Sequence, residues 1–279
     1  MILTSDFPLD LRLTVTSGQL FHWSEEKGKF KILQDKTVFL VRQTSSTQIK
    51  IKQTGREVNR NEIIKVLGLI PHRPEAMKRL EVDPLFSPFA LAYRGLTIMR
   101  QHPYECLISF MASAVSNIPR IMQNLRDLRT QSGTPITGTQ EKSFPLPEQI
   151  IEMGESGLRQ IGLGYRARFI FETCTKIKKG GVQLDHWTNK STPELTEALT
   201  GFPGVGKKIA ECTALFGFGR WDAFPVDVWV KRALLTLDPK LNGMSADDLC
   251  QWGKERWGSN AGLAQQILFC AARDGEIPC

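Results

Sequence analysis

Gly201-Phe202-Pro203-Gly204-Val205-Gly206-Lys207-Lys208 stops one helix and starts another within a few residues. Upstream, Ser191-Thr192-Pro193-Glu194 has the form of a helix N-terminus, with Ser191 as cap, Glu194 closing a capping box and Pro193 in the first turn. The helix it opens should bury Leu195, Ala198, Leu199 and Phe202. Past the glycines, Ile209, Cys212, Thr213 and Phe216 resume helical spacing, so residues 193–216 read as a helix-hairpin-helix. Glycine at 204 and 206 lets a backbone approach closely, and the first amides of the second helix are ready donors for phosphate. Duplex backbone fits such a turn; the alternative is a tight turn between two core helices.

The residues after the turn carry chemistry. Lys207 and Lys208 stand in the first turn of the second helix, where the macrodipole disfavours a cation and so favours the neutral, nucleophilic amine. Lys207 can serve phosphates as a point charge. Lys208 lies one turn before Cys212 on the same face and points to the apolar side, which makes it the candidate nucleophile. Further on comes Phe224-Pro225-Val226-Asp227-Val228-Trp229, with Asp227 ahead of a helix that buries Val230, Ala233, Leu234 and Leu237. Asp227 is either only an N-cap or a capping carboxylate, held ionised by amides, that steadies positive charge on a sugar.

Outward from the hairpin, the pattern from about Pro84 is helical: Cys106, Phe110 and Met111 share a face, as do Ile150, Met153 and Leu158, and Phe169, Ile170 and Ile177. Residues 131–147 read as a long exposed loop between two of these helices. Towards the N-terminus the pattern is strand-like in Leu11-Arg12-Leu13-Thr14-Val15, Val38-Phe39-Leu40-Val41 and Ile49-Lys50-Ile51-Lys52, with a break at Gly28. The expected fold is α+β, a small N-terminal antiparallel β-sheet domain over residues 1–80 followed by an all-helical domain over 81–279. The chain has 279 residues, 41% hydrophobic and 23% charged, which is ample for two cores. Its net charge of +7 favours a polyanionic partner.

Some classes are excluded. No apolar run approaches the roughly 18 residues of a membrane span, and residues 1–13 are too charged for a signal peptide, so an intracellular protein is expected. No cluster of basic residues marks nuclear import, which points to a prokaryotic cytoplasm and its nucleoid. The six cysteines, at 106, 174, 212, 250, 270 and 279, are scattered as reduced thiols rather than paired.

Gly204-Val205-Gly206-Lys207-Lys208 followed by Pro225-Val226-Asp227 resembles the helix-hairpin-helix signature of DNA base-excision glycosylases. Ser17-Gly18-Gln19-Leu20-Phe21-His22-Trp23, Pro103-Tyr104-Glu105-Cys106-Leu107, Leu163-Gly164-Tyr165-Arg166-Ala167-Arg168 and the segment from Ala264-Gln265 to Phe269 extend the resemblance, in order, to 8-oxoguanine DNA glycosylases. The resemblance implies excision of the oxidised base through a Schiff base on Lys208 with Asp227 stabilising the sugar cation, then strand nicking by β-elimination. It implies that Cys212 and Phe269 sandwich the extruded base and that Gln265 reads its Watson–Crick edge. The Gly18 carbonyl would accept the N7 hydrogen that distinguishes 8-oxoguanine. Tyr165 would wedge into the vacated stack, with Arg120 and Arg166 reading the opposite cytosine. Gly204, Gly206 and Lys207 would hold backbone, and carbonyls of Thr200, Phe202 and Val205 would hold a structural monovalent or calcium ion. No dissolved cofactor is implied for the chemistry, and a single chain acting on double-stranded DNA suffices, so a monomer is expected.

Two positions depart from that pattern. Val115, followed by Ser116 and Asn117, stands where the eukaryotic enzymes place an Asn, which opens the question of opposite-base selectivity; Asn117 is the polar candidate left there. Trp229 stands in place of a phosphate-contacting His. Two other readings share part of this pattern. An endonuclease III-like glycosylase for oxidised pyrimidines usually carries four clustered cysteines for an iron–sulfur cluster, and Cys250, Cys270 and Cys279 are too dispersed for one. A non-catalytic hairpin module that only binds DNA would use Lys208 as a phosphate contact and Asp227 as a cap.

Overall fold

Alternation of side chains builds the first layer. Phe30 and Ile32 turn inward in alternation with Lys29 and Lys31, and Ile49 and Ile51 do so in alternation with Lys50 and Lys52. In the computed structural model, which describes residues 1–70 and 73–278, these segments belong to a five-stranded antiparallel sheet of order β1-β5-β4-β3-β2. The strands are β1 (Ile2–Thr4), β2 (Trp23–Glu26), β3 (Lys29–Gln34), β4 (Thr37–Gln43) and β5 (Gln48–Gly55). Phe30 lies opposite Val41, and Val41 opposite Ile51, so one face of the sheet is continuous hydrocarbon. Gly28 lies in the turn between β2 and β3.

That face is covered by helices α1 (Leu11–Thr16) and α2 (Arg60–Val66), through Leu11 and Val15 of the first and Ile63 and Val66 of the second. The expected strand at Leu11–Val15 is thus a helix. Asp10 caps it by accepting the Leu13 amide at 2.8 Å, and Leu11, Thr14 and Val15 bury its inner stripe. Five residues satisfy both periods, and the cap decides between them.

The remaining helices are α3 (Arg73–Glu81), α4 (Ser87–Ala90), α5 (Pro103–Ala112), α6 (Ile118–Ser132), α7 (Pro147–Leu158), α8 (Arg166–Lys179), α9 (Thr192–Thr200), α10 (Lys207–Cys212), α11 (Val228–Leu237), α12 (Ala246–Trp257) and α13 (Ala261–Arg273). They share one large core. Ala76, Met77 and Leu80 of α3 belong to that helical core, while Met99 packs with the sheet. The chain therefore crosses the seam between the two layers more than once. At the centre lies α13, whose apolar residues from Ala261 to Leu268 are all buried.

The segment joining α6 to α7 is not the exposed loop expected. Ile136 packs with Leu33 and Val38 against the sheet, Ser143, Phe144 and Pro145 are buried, and a short bridge pairs Pro135 with Lys142. Its Ser, Thr, Gly and Pro content describes its turns and says nothing of what its few apolar side chains meet. No helix among the described residues is long and apolar enough to cross a membrane.

Candidate active site

The hairpin forms as its local sequence requires. Ser191 and Glu194 make the capping box, with the Ser191 amide donating to Glu194 Oε2 at 2.8 Å. The first helix buries Leu195 and Leu199, with Phe202 buried just past it and Ala198 half-exposed. Gly204 has φ of +73°, and a Cβ there would sit 2.5 Å from the Phe169 ring, so both conformation and space call for glycine. Gly206 is the N-cap of α10 and gives its first amides no side-chain acceptor, and the exposed Lys207 that follows reaches Asp247 at 3.7 Å.

Lys208 is half-buried, its Nζ 5.2 Å from the centre of the Phe110 ring. Its charge acts on three groups, the Cys106 and Cys212 thiols and the Asp227 carboxyl. Burial pushes the Cys212 thiol up to about 11, opposed by Lys208, so Cys212 is a neutral apolar wall. Asp227 caps α11 by accepting the Val230 amide at 2.9 Å. Burial nevertheless raises its carboxyl above the ordinary aspartate value, outweighing the amide donors and Lys208. The amides hold this carboxylate in place, then, without holding it below its ordinary pKa as expected. The hairpin amine is thus near enough to the loop carboxylate for its charge to act on it.

The turn bearing Gly18 lies against Phe269. Gly18 has φ of +80°, and a Cβ there would meet the Phe269 ring at 3.1 Å and Ile118 at 3.2 Å. The turn is fastened from α13 by residues that sequence reasoning passed over. Gln266 Nε2 donates to the Ser17 carbonyl at 2.8 Å, and Arg273 Nη1 to the Thr16 carbonyl at 2.8 Å. Buried Gln19 locks the other side, donating to the Thr97 carbonyl at 2.9 Å and accepting the Met99 amide at 2.7 Å. The one sequence signal for Gln266 was a polar residue amid the apolar run of α13. Gln265 is buried with its Oε1 unpartnered.

A π-helical turn, Thr213–Gly217, follows Cys212 directly, and another, Arg159–Leu163, leads into the turn bearing Tyr165. Tyr165 is 52% exposed and packs edge-on against Phe169. Arg120 is exposed, with its guanidinium close to Gly162. Asn117 spends its side-chain oxygen on the Arg120 amide as the cap of α6. Arg166, expected beside Arg120 as a reader, is instead buried: it donates to the carbonyls of Leu163, Ala112, Ala114 and Gly162, at 2.7 to 3.3 Å. With four of its five N–H groups on backbone, Arg166 is a brace for this surface and has little left to read a base. The loop it braces holds Val115, 93% exposed at φ of +50°, a strained conformation for a β-branched residue. Trp229 is half-buried, with the Arg232 guanidinium 5.8 Å over its ring.

At the hairpin, the Phe202 carbonyl accepts the Val205 amide at 3.2 Å and keeps a lone pair, and oxygen-only donors such as Thr200, Phe202 and Val205 suit a hard, weakly held cation. Among the described residues no three His, Cys, Asp or Glu side chains cluster as a metal site. Cys106, Cys174, Cys212, Cys250 and Cys270 are buried free thiols; Cys279 lies outside the described residues.

Residues 108–242 match the family described as "HhH-GPD superfamily base excision DNA repair protein", and residues 1–107 match "8-oxoguanine DNA glycosylase, N-terminal domain". The chain belongs to the HhH-GPD superfamily. Among HhH-GPD relatives, it is 34% identical over 213 residues to an N-glycosylase/DNA lyase of Arabidopsis thaliana, a match covering 70% of this chain and 56% of the relative. It is 28% identical to an N-glycosylase/DNA lyase of Saccharomyces cerevisiae, over 94% of this chain and 82% of that one. Its fold matches the 8-oxoguanine glycosylase/lyase of Clostridium acetobutylicum, solved with double-stranded DNA containing cytosine opposite to 8-oxoG. There the TM-score is 0.88 at 28% identity, over 99% of both chains. The chain thus spans little more than half of the plant relative and nearly all of the bacterial one.

Proposed function

We propose that this protein removes 8-oxoguanine from duplex DNA, preferably opposite cytosine, and then nicks the strand. What supports this reading is that Lys208 lies near enough to Asp227 for its charge to act on the carboxyl, and that the Gly18 turn packs on Phe269.

The Lys208 amine attacks C1′ as the N-glycosidic bond breaks, and the departing base takes the bonding pair and a proton. Positive charge builds on the sugar, where the fixed Asp227 carboxylate stabilises it. Opening of the sugar gives the Schiff base. Loss of a C2′ proton then expels the 3′ phosphate by β-elimination, and water releases Lys208. Phe269 and the neutral Cys212 supply apolar walls for the extruded base, and Gln265 Oε1 supplies an acceptor for its edge. The Gly18 carbonyl selects for the N7 hydrogen of the oxidised base. Tyr165 fills the vacated stack, while Gly204, Gly206, Lys207 and Trp229 hold the backbone, with an ion at Thr200, Phe202 and Val205 beside a phosphate. No dissolved cofactor enters the reaction, and one chain acts alone.

Borohydride reduction on a duplex carrying 8-oxoguanine opposite cytosine tests this. A covalent complex is expected, and it should vanish in Lys208→Gln. If the wild-type chain traps nothing and releases no base while binding undamaged duplex equally well, the protein is a binding module instead.

A further inference from the structure

A cavity of about 430 Å³ lies where the sheet meets α6, a size within the range of small-molecule sites. Trp23 and Lys31 line it from the sheet, Arg126 and Arg129 from α6, and Glu141 and Lys142 from the segment before α7. Lys31 pairs with Glu141, and Lys142 Nζ donates to the Thr130 carbonyl at 2.7 Å. The two arginines have no ion-pair partner among the described residues.

Arg129 decides the character of the site. It is 9% exposed, yet its Nε and Nη1 are buried with no hydrogen-bond partner. The other two buried arginines among the described residues, Arg73 and Arg166, donate to backbone carbonyls. Glu105 and Glu141 act on Arg129 only through space. Glu105 spends an oxygen on the Asp35 amide at 2.9 Å, and burial pushes its carboxyl up to about 7, so it is a weak counter-ion near neutrality. A buried guanidinium in this state is costly unless an anion meets it.

The cavity is also separate from the surface around Tyr165. Arg129 lies about half a revolution around α6 from Arg120 and roughly 14 Å along it, by ordinary helical geometry. The Trp23 indole N–H is already used, on the Leu20 carbonyl at 3.2 Å, so this residue offers the cavity only its ring.

We propose that this cavity is a second anion site, for a mononucleotide or another small phosphate ester. Its phosphate meets Arg129 and Arg126, and its flat group lies on Trp23. This goes beyond base excision and does not depend on it.

The test follows the Arg129 Nε–H resonance of labelled, full-length protein during addition of inorganic phosphate, deoxyguanosine monophosphate, deoxyguanosine or a short duplex. Saturable shifts are expected with phosphate and the monophosphate, the latter binding more tightly. Deoxyguanosine and the duplex should leave the resonance in place, which separates a free phosphate ester from DNA backbone as the source. Arg126→Gln, at an exposed position, should weaken monophosphate binding about tenfold and leave trapping through Lys208 unchanged. Absence of a saturable shift with both phosphates overturns the proposal, as does an unchanged affinity in Arg126→Gln. A shift with the duplex alone assigns the cavity to the DNA interface and overturns it equally.

Discussion

The Glu211 carboxylate, 1% exposed, accepts the Phe224 amide at 2.9 Å and so ties the helix of Lys208 to the loop of Asp227. Each catalytic candidate lies three residues from its end of this link. Lys254 pairs with the other oxygen of Glu211. Glu211→Ala would orphan a buried amide and an ammonium, at a cost of about 3–5 kcal/mol. Urea unfolding should register that loss. Glu211→Gln keeps an acceptor for Phe224, so it should retain most excision while Glu211→Ala loses it; equal activity in both would remove the link from catalysis.

Asp227 sets the acid limb of the reaction. Its carboxyl is raised by burial, so the ionised form needed at the sugar is lost as pH falls through a value above the ordinary 3.8. For stability the sign is opposite to that of an ion-paired carboxylate. The folded chain holds this proton longer than the unfolded chain, so stability falls as pH rises from 3.8 through the raised value. Asp227→Asn, which can still cap α11, should therefore be no less stable at neutral pH and at least about a hundredfold slower in base release. A pH–rate profile beside thermal melts at two pH values reads both effects.

Tyr165 and Arg166 are neighbours with separable roles. Tyr165→Ala removes an exposed ring, so unfolding should change by less than about 0.5 kcal/mol. Excision should nonetheless fall about tenfold or more, from a lost stacking contact of about 1–3 kcal/mol.

Arg166→Ala strips donors from buried carbonyls and should lower stability by about 2–4 kcal/mol, whatever the base opposite the lesion. Arg120→Ala, at an exposed position, should leave stability alone and alter the preference for cytosine. Melting curves and excision measured against all four opposite bases distinguish the two arginines.

Val115 pays for its left-handed backbone. Val115→Gly should stabilise the protein by about 1 kcal/mol, and Val115→Asn, better tolerated at φ of +50°, should sharpen discrimination for cytosine. If Val115→Asn leaves the opposite-base preference untouched, this loop does not read that base.

Features made by a few adjacent residues were legible beforehand. The Ser191 and Glu194 box, the glycine turn, the Asp227 cap and the position of Lys208 beside an apolar face are all local chemistry. Leu11–Val15 was not, because a segment so short satisfies both periods until a cap and a packing partner choose. The exposed loop expected over 131–147 fails for a related reason: Ile136 and Phe144 find their partners far away in the chain.

The amino-acid sequence by itself determined the hairpin, the residues available for attack and for charge stabilisation, and the turn glycines, since caps and backbone conformations follow from side chains within a turn of each other. Tertiary structure alone decided that burial would raise Asp227 and that Gln266 and Arg273 would pin the Gly18 turn. It also decided that Arg166 would brace backbone while Arg129 kept its donors free. A pKa and a hydrogen-bond partner depend on what folding brings near and what water it removes, and residues distant along the chain supply both.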